Sequence, residues 1–498
     1  MKTPTTRDEV RRLAIRLVWR SVSIMAGALL MAWPAFYNGY PLLYPDSMSY
    51  LEDGRLVARA LFLRRFSADY GGRSFIYCLG ILPLHWNVTP WPIVGLNALL
   101  TAYVIWLIVR SILPGSTITG YFALVIPLSV VTGLGWFVSL IMPDIYGPVL
   151  YLSIYLLVFA SDALSRAEYL LVVLIACWSV ASHVTHLMLA AGLCVVLTLP
   201  LLLRRRSARP RLRAIGVVAL IVVIAAATHM ALHAYLYGEP SLNGKRAPFL
   251  MARVLIDGPG REYLRQHCGD AKLVICGYLN QLPTDTNDFL WKLDGIWQTA
   301  SPATKEELRR EEMPLVLATL RAFPREELSI SAAHFWEQLM TFGLWDYGPN
   351  RWVEQMFDKV LPGARSRYLR TRQARRALPD EFSSSAQEWT VVASLVLLGA
   401  LAPFVLRRRP ARLMGLTAVV IFVLIANAFV TGVFASVEDR YESRVIWLLP
   451  LLAILCALAS LDHHGSMQPW LTRIPFVAAI RHKMGRNRQV VLLEDNYF

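Results

Sequence analysis

Long uncharged stretches of apolar residues, several of roughly 18 or more, leave this chain few folds to choose from. Such a run crosses the ~30 Å hydrocarbon core of a bilayer as a helix, and lipid offers its backbone no outside hydrogen-bond partner. The 498 residues are 55% hydrophobic and only 17% charged, so the expected class is a polytopic all-α membrane protein. The net charge of +15 does not call for nucleic acid. Much of the arginine sits in short clusters beside apolar runs, where the positive-inside rule and anionic lipid account for it. Arg7, Arg11, Arg12, Arg16 and Arg20 precede the first run, and no small-residue cleavage site follows before residue 46. A retained first helix with a cytoplasmic N-terminus is therefore expected, not a cleaved signal peptide.

Ten spans can be laid out, at about 21–42, 91–112, 117–142, 145–161, 168–183, 186–203, 214–237, 390–406, 413–436 and 445–461. The N-terminal membrane module is then 1–237, with an outer first loop at 43–90. A mainly helical outer domain occupies 238–389, the C-terminal module 390–461, and a cytoplasmic tail 462–498. In the first loop, Leu56, Val57, Ala60, Leu61 and Leu63 alternate with Arg55, Arg59, Arg64 and Arg65, the pattern of a helix lying in the interface. Phe75 to Leu84 is too short to span. The clusters Arg204–Arg206 and Arg407–Arg409 fix the inner side, and both termini fall there. Cys268 and Cys276 flank a short stretch of the outer domain and are expected to form a disulfide if that domain faces an oxidising compartment.

Two carboxylates land on the outer face: Asp46 in Tyr40-Pro-Leu-Leu-Tyr-Pro-Asp-Ser-Met-Ser-Tyr50, and Asp144 in Met142-Pro-Asp-Ile-Tyr146. A carboxylate beside apolar spans is costly unless used or paired. Asp46 suits a general base for a hydroxyl nucleophile; the competing reading is a helix cap. Asp144 orients an acceptor, holds Arg440, joins Asp46 at a metal, or simply starts a helix. Arg440 and Arg444 lie at the outer mouth of the last span, against the positive-inside rule, and suit a lipid phosphate. Pairing with Glu438, Asp439 or Glu442 is the alternative. His183 and His186, three apart on one helical face, suggest hydrogen bonding to sugar or phosphate, a metal, or plain packing; His229 and His233 are similarly open. Lys245, Arg246 and Arg253 are candidates to meet a pyrophosphate. Trp291, Trp297, Trp336, Trp345 and Trp352 suit sugar stacking or, more simply, the interface, and Asp285 and Asp288 read as turn residues.

The early outer-loop Asp46, the tight hairpin at Ser182-His-Val-Thr-His186 and the bulky outer domain resemble the GT-C superfamily of integral-membrane glycosyltransferases. Arg440-Tyr-Glu-Ser-Arg-Val-Ile-Trp-Leu-Leu-Pro450 is similar to the Arg-Tyr…Leu-Pro segment of its bacterial lipid A and protein O-glycosylating members. The resemblance implies a polyprenyl-phosphate-linked sugar donor, a glycan, lipid or protein acceptor, and a site on the periplasmic face of the bacterial inner membrane. It makes Asp46 the base. Two departures stand out: the family's adjacent acidic pair is missing, with Glu52 and Asp53 displaced, and no Asp-X-Asp metal pair appears. A divalent metal cofactor stays open, with Asp46 and Asp144 together as one candidate pair of ligands. A transporter or flippase of lipid-linked saccharides would place charges deep within spans and break helices at the midplane. The candidates here gather at one face instead. A non-catalytic assembly protein working through 238–389 is the third class.

Overall fold

The computed structural model describes residues 7–67, 70–71, 73–202, 209–270, 272–345, 347–408 and 410–463. Arg204–Arg206, Arg409 and all but the first two residues of the expected tail lie outside the described residues. In chain order, α1 (Arg7–Met31) is followed by α2 (Trp33–Asn38), α3 (Pro45–Leu63), α4 (Phe75–His85), α5 (Trp91–Ile112) and α6 (Thr117–Val131). The short α7 (Leu134–Ser139) and a 3-10 turn (Pro143–Ile145) lead into α8 (Tyr146–Phe159), α9 (Arg166–Ser182), α10 (Val184–Leu202) and α11 (Arg209–Tyr237). The polar region holds α12 (Phe249–Asp257), α13 (Pro259–His267), α14 (Thr286–Leu290), α15 (Ile296–Thr299), α16 (Pro302–Ala322), α17 (Pro324–Met340), α18 (Arg351–Val360) and α19 (Arg365–Tyr368). The remaining helices are α20 (Asp380–Arg408), α21 (Ala411–Phe434), α22 (Asp439–Ile446) and α23 (Leu448–His463).

The architecture is all-α, and six helical stretches are long and apolar enough to cross a membrane. They lie in α1, α5, α11, α20, α21 and the α22–α23 pair, while α4, α6, α8 with its preceding turn, and α10 are shorter apolar helices. Two expected boundaries need correction. The first span is not 21–42: its apolar window is Ala14–Met31, and the helix breaks before Pro34 at the start of α2. Gly39, in the left-handed region at φ 82°, then ends α2 with its N–H on two carbonyls. The expected span 117–142 likewise stops at Val131, and its last third becomes α7 and an extended stretch.

Packing follows from where apolar residues fall around each helix. α8 is apolar all round, and every residue from Tyr146 to Val158 is buried, so it forms the centre of the bundle. In α1 and α20 only 22% and 11% of the apolar window is buried, leaving apolar faces turned outward. Opposite ends of the bundle carry different chemistry. At one end Glu168 accepts both Arg110 amino groups, at 2.7 and 2.8 Å, and pairs with Arg20 at 2.7 Å. The other end carries the stretch from Tyr40 to Tyr50.

The polar region is two things. Met251, Leu255, Leu264, Ile275, Phe289, Leu308 and Leu315 make a separate small core, with a disulfide joining Cys268 and Cys276. From α17 onward the chain packs on the bundle instead. Gly432 of α21 lies so close to the His334 carbonyl that a Cβ there would come within 2.6 Å. Val353, Phe357, Val360 and Tyr368 belong to the main core.

Candidate functional site

Two stretches far apart in sequence share one local design. Leu42-Leu-Tyr-Pro-Asp46 and Leu140-Ile-Met-Pro-Asp144 each run extended, then start a helix on proline. Proline suits the first helical turn, where its missing N–H is not needed. The two stretches pair in parallel: Leu42 N–H donates to Ser139 O and Ile141 N–H to Leu42 O, both at 3.0 Å. Asp46 and Asp144 each lie four residues beyond the bridged leucines, so the parallel register brings them out side by side. Gln373 clamps the same stretch, accepting from Leu43 N–H at 3.1 Å and donating to Leu43 O at 2.6 Å.

Three guanidiniums meet these two carboxylates. Arg73, between α3 and α4, donates to Asp46. Arg440 Nη1 stands 3.8 Å from the other Asp46 oxygen, and its guanidinium lies 4.2 Å from the Tyr44 ring centre. Arg444 Nη1 is 3.4 Å from Asp144 Oδ1, while its Nη2 donates to Asn427 Oδ1 at 2.8 Å. Asn427 in turn donates to Tyr441 O and to Glu442 Oε2, at 2.7 and 2.8 Å. Three guanidiniums thus face Asp46 and Asp144, with the buried Glu442 behind Asn427. The guanidinium donors are unequally used: Arg440 Nε and Nη1 and Arg73 Nε are buried without a hydrogen-bond partner. Buried donors without acceptors are costly, which marks this as a place built for an anionic acceptor.

Arg73 is itself positioned by Asp53. That carboxylate is buried and accepts Gly71 N–H on both oxygens at 3.0 Å, which anchors the link leading to Arg73. Burial raises its pKa to about 7, against the pull of the Gly71 amide and the Arg73 charge. Close contact between α3 and α4 supports this geometry: Gly54 lies against the Cys78 carbonyl, where a Cβ would come within 2.4 Å.

Several expected site residues are placed elsewhere or differently. His183 and His186 do not share a helical face, since His183 is the extended link between α9 and α10. Their ring centres nevertheless stand 5.4 Å apart, and both lie within the field of the arginine cluster. His183 Nδ1 accepts Thr185 N–H at 3.2 Å, and His186 Nδ1 meets Ser179 O at 2.9 Å. His186 Nε2 is buried and unbonded. Glu52 pairs with Arg55 at 3.1 Å and Lys359 at 3.5 Å, so it braces α3 against α18. Arg246 pairs with Glu312 at 3.2 Å, and Lys245 Nζ sits over Tyr237, which packs with Phe75 and Tyr70 of the α3–α4 region. Arg253 is likewise committed, to Glu327 at 2.8 Å.

Asp144 is within ion-pair distance of Arg444, at 3.4 Å, and its charge also acts on Arg440. Trp297 is buried under Arg309 and Lys305, whereas Trp291, Trp336, Trp345 and Trp352 are exposed. Asp285 caps α14, accepting Asn287 N–H at 2.7 Å. His229 and His233 contact the Ala181 and Ser241 carbonyls.

Arg73, Tyr44 and Asn427 are not singled out by sequence, and Asp53 enters there only with Glu52 as the displaced acidic pair. Only the repeated Leu-x-x-Pro-Asp pattern was there to be noticed. Among the described residues no group of three or more His, Cys, Asp or Glu is placed to hold a metal. The donor set at Asp46 and Asp144 also suits a dication poorly, since each carboxylate already faces a guanidinium. Comparison with protein-family models, curated proteins and solved structures finds no match to this chain.

Proposed function

We propose that the chain is an inverting, GT-C-like glycosyltransferase of ten spans. It moves a sugar from a polyprenyl-phosphate donor to a glycan, lipid or protein acceptor on the outer face of a bacterial inner membrane. The observation that carries this reading is the pairing of a partly accessible carboxylate, Asp46, with guanidinium donors that have no acceptor of their own. Asp46 takes the proton of the acceptor hydroxyl as that oxygen attacks the sugar. The bond to the lipid phosphate breaks, and the departing phosphate needs donors that are stronger partners for it than for the intact donor. Arg440 and Arg73 supply them. Arg444 stays on Asp144 and keeps the second helix start in register.

Transport of a lipid-linked saccharide fits less well, because the charged groups gather where helices begin, beside the Leu42–Leu140 bridge. The test is release or transfer of radiolabelled sugar from polyprenyl-phosphate donors by purified protein, wild type against Asp46→Asn. Turnover lost in the variant, with unfolding temperature unchanged, is the expected result. Turnover that survives in Asp46→Asn removes the assigned base, and no turnover across a broad donor panel removes the enzymatic reading.

A further inference from the structure

The segment 365–376 carries six arginines: Arg365, Arg367, Arg370, Arg372, Arg375 and Arg376, all exposed. Among the described residues none of the six pairs with a carboxylate, whereas Arg246, Arg253, Arg309 and Arg310 of the neighbouring outer region all do. Six like charges held together, with no carboxylate paired to them among the described residues, repel one another unless an anion joins them. We propose that this segment is a docking platform for the headgroup of an anionic phospholipid.

Its height on the molecule argues for a lipid. Arg372 stacks over Tyr37 at 4.2 Å and donates from Nε to Tyr37 O at 3.0 Å. Tyr37 belongs to α2, directly after the apolar window Ala14–Met31 ends, so the platform lies where a span meets headgroups. Phe36, Tyr37 and Leu369 are exposed beside it, and Phe36 stacks on Trp91 at the start of α5. Aromatic rings at the end of a span are the usual interfacial belt. Membrane insertion does not explain this basic cluster, because the arginines that follow the positive-inside rule, Arg20 and Arg110, gather at the opposite end of the same helices.

The local backbone is also specialised. Arg376 is held at φ 53°, uncommon for a residue with a side chain, and lines a cleft of about 260 Å³ with Trp345, Tyr347, Gln373 and Asp380. Gln373 is the side chain that clamps Leu43, so a headgroup in this cleft lies one side chain away from the stretch leading to Asp46. The inference rests on the membrane placement of the proposed reading but not on its chemistry.

The test uses the full chain in detergent, with lipid retention read by native mass spectrometry. The probes are phosphatidic acid, phosphatidylglycerol, phosphatidylcholine and inorganic phosphate. Wild type is expected to retain the two anionic lipids over phosphatidylcholine. Replacing Arg370, Arg375 and Arg376 together by Gln is expected to weaken that retention by about a hundredfold, since each basic residue near an anionic surface contributes roughly fivefold. Unfolding temperature should not change, and Arg265→Gln with Arg310→Gln, exposed but ion-paired elsewhere, should leave retention intact. If the triple variant does not fold, Arg365→Gln with Arg367→Gln is expected to weaken retention by about twenty-five-fold on the same reckoning. Unaltered retention in the variants overturns the proposal. So does equal binding of phosphatidylcholine, or displacement of the lipid by equimolar inorganic phosphate, which would mean a free-phosphate site. Absence of glycosyl transfer leaves the binding result standing by itself.

Discussion

Replacing Arg444 with methionine keeps most of the side-chain volume and removes the charge. Arg444 is 3% exposed, and its partner Asp144 is 6% exposed at 3.4 Å. The substitution therefore strands a carboxylate in a place water hardly reaches, and deprives Asn427 Oδ1 of a donor at 2.8 Å. Breaking a buried pair from one side costs about 3–5 kcal/mol, most of it the penalty of the charge left behind. If the chain unfolds as a unit, its size converts this to a fall in unfolding temperature of about 3–5 °C. Asp144→Asn with Arg444→Met removes both charges, so the double variant should recover about 2 kcal/mol relative to the sum of the singles. Intrinsic fluorescence during heating in detergent, run on all four proteins, measures the coupling. An Arg444→Met protein as stable as wild type, or strictly additive changes across the cycle, refutes the assignment of Arg444 to structure.

Arg440→Gln should behave in the opposite way. Its unbonded Nε and Nη1 contribute little to stability, so unfolding should shift by less than about 1 kcal/mol, while transfer from polyprenyl-phosphate sugar falls by about a hundredfold or more. Asp53 makes stability depend on pH. Its folded pKa of about 7 lies above the unfolded value of 3.8, so the native state holds the proton more tightly, and stability present at low pH is lost as pH rises between the two values. The slope is roughly 1.4 kcal/mol per pH unit, and Asp53→Asn should flatten it in unfolding scans from pH 5 to 7. Finally, the Cys268–Cys276 disulfide closes a loop of sequence separation 8 within the small outer core. Cys276→Ser should destabilise that unit by about 2.5 kcal/mol, seen as earlier proteolysis near residues 247–315 with the membrane bundle unaffected.

Much of the fold is legible in the chain itself, because each such feature depends on residues close together in sequence. The span at 91–112 coincides with α5, since an apolar run and the proline at its start act locally. Alternation within one helix marks α3 as amphipathic, and α3 buries Val57 and Ala60 of that pattern while Leu63 stays exposed. Asp285 as a turn residue and the Cys268–Cys276 pair rest on equally short distances along the chain. By contrast, the break after Met31 misplaced the first span, because composition cannot distinguish one helix from two that follow each other at Pro34.

The candidate site belongs to tertiary structure. Asp46 and Asp144 were visible as carboxylates, but only the Leu42–Leu140 bridge places them side by side, and nothing local announces a parallel pairing across 98 positions. Arg440 and Arg444 looked interchangeable, being one helical turn apart. The packing of α21 separates them, giving Arg444 to Asn427 and Asp144 and leaving Arg440 beside Asp46 and Tyr44 with donors unspent. Arg73 had no signal in sequence at all, because it reaches Asp46 only when Asp53 and the contact of Gly54 with α4 fold its link inward. Hydrophobic run length acts residue by residue and determined that this is a helical membrane chain. Which charge meets which depends on contacts between distant segments, and those exist only once the helices have packed.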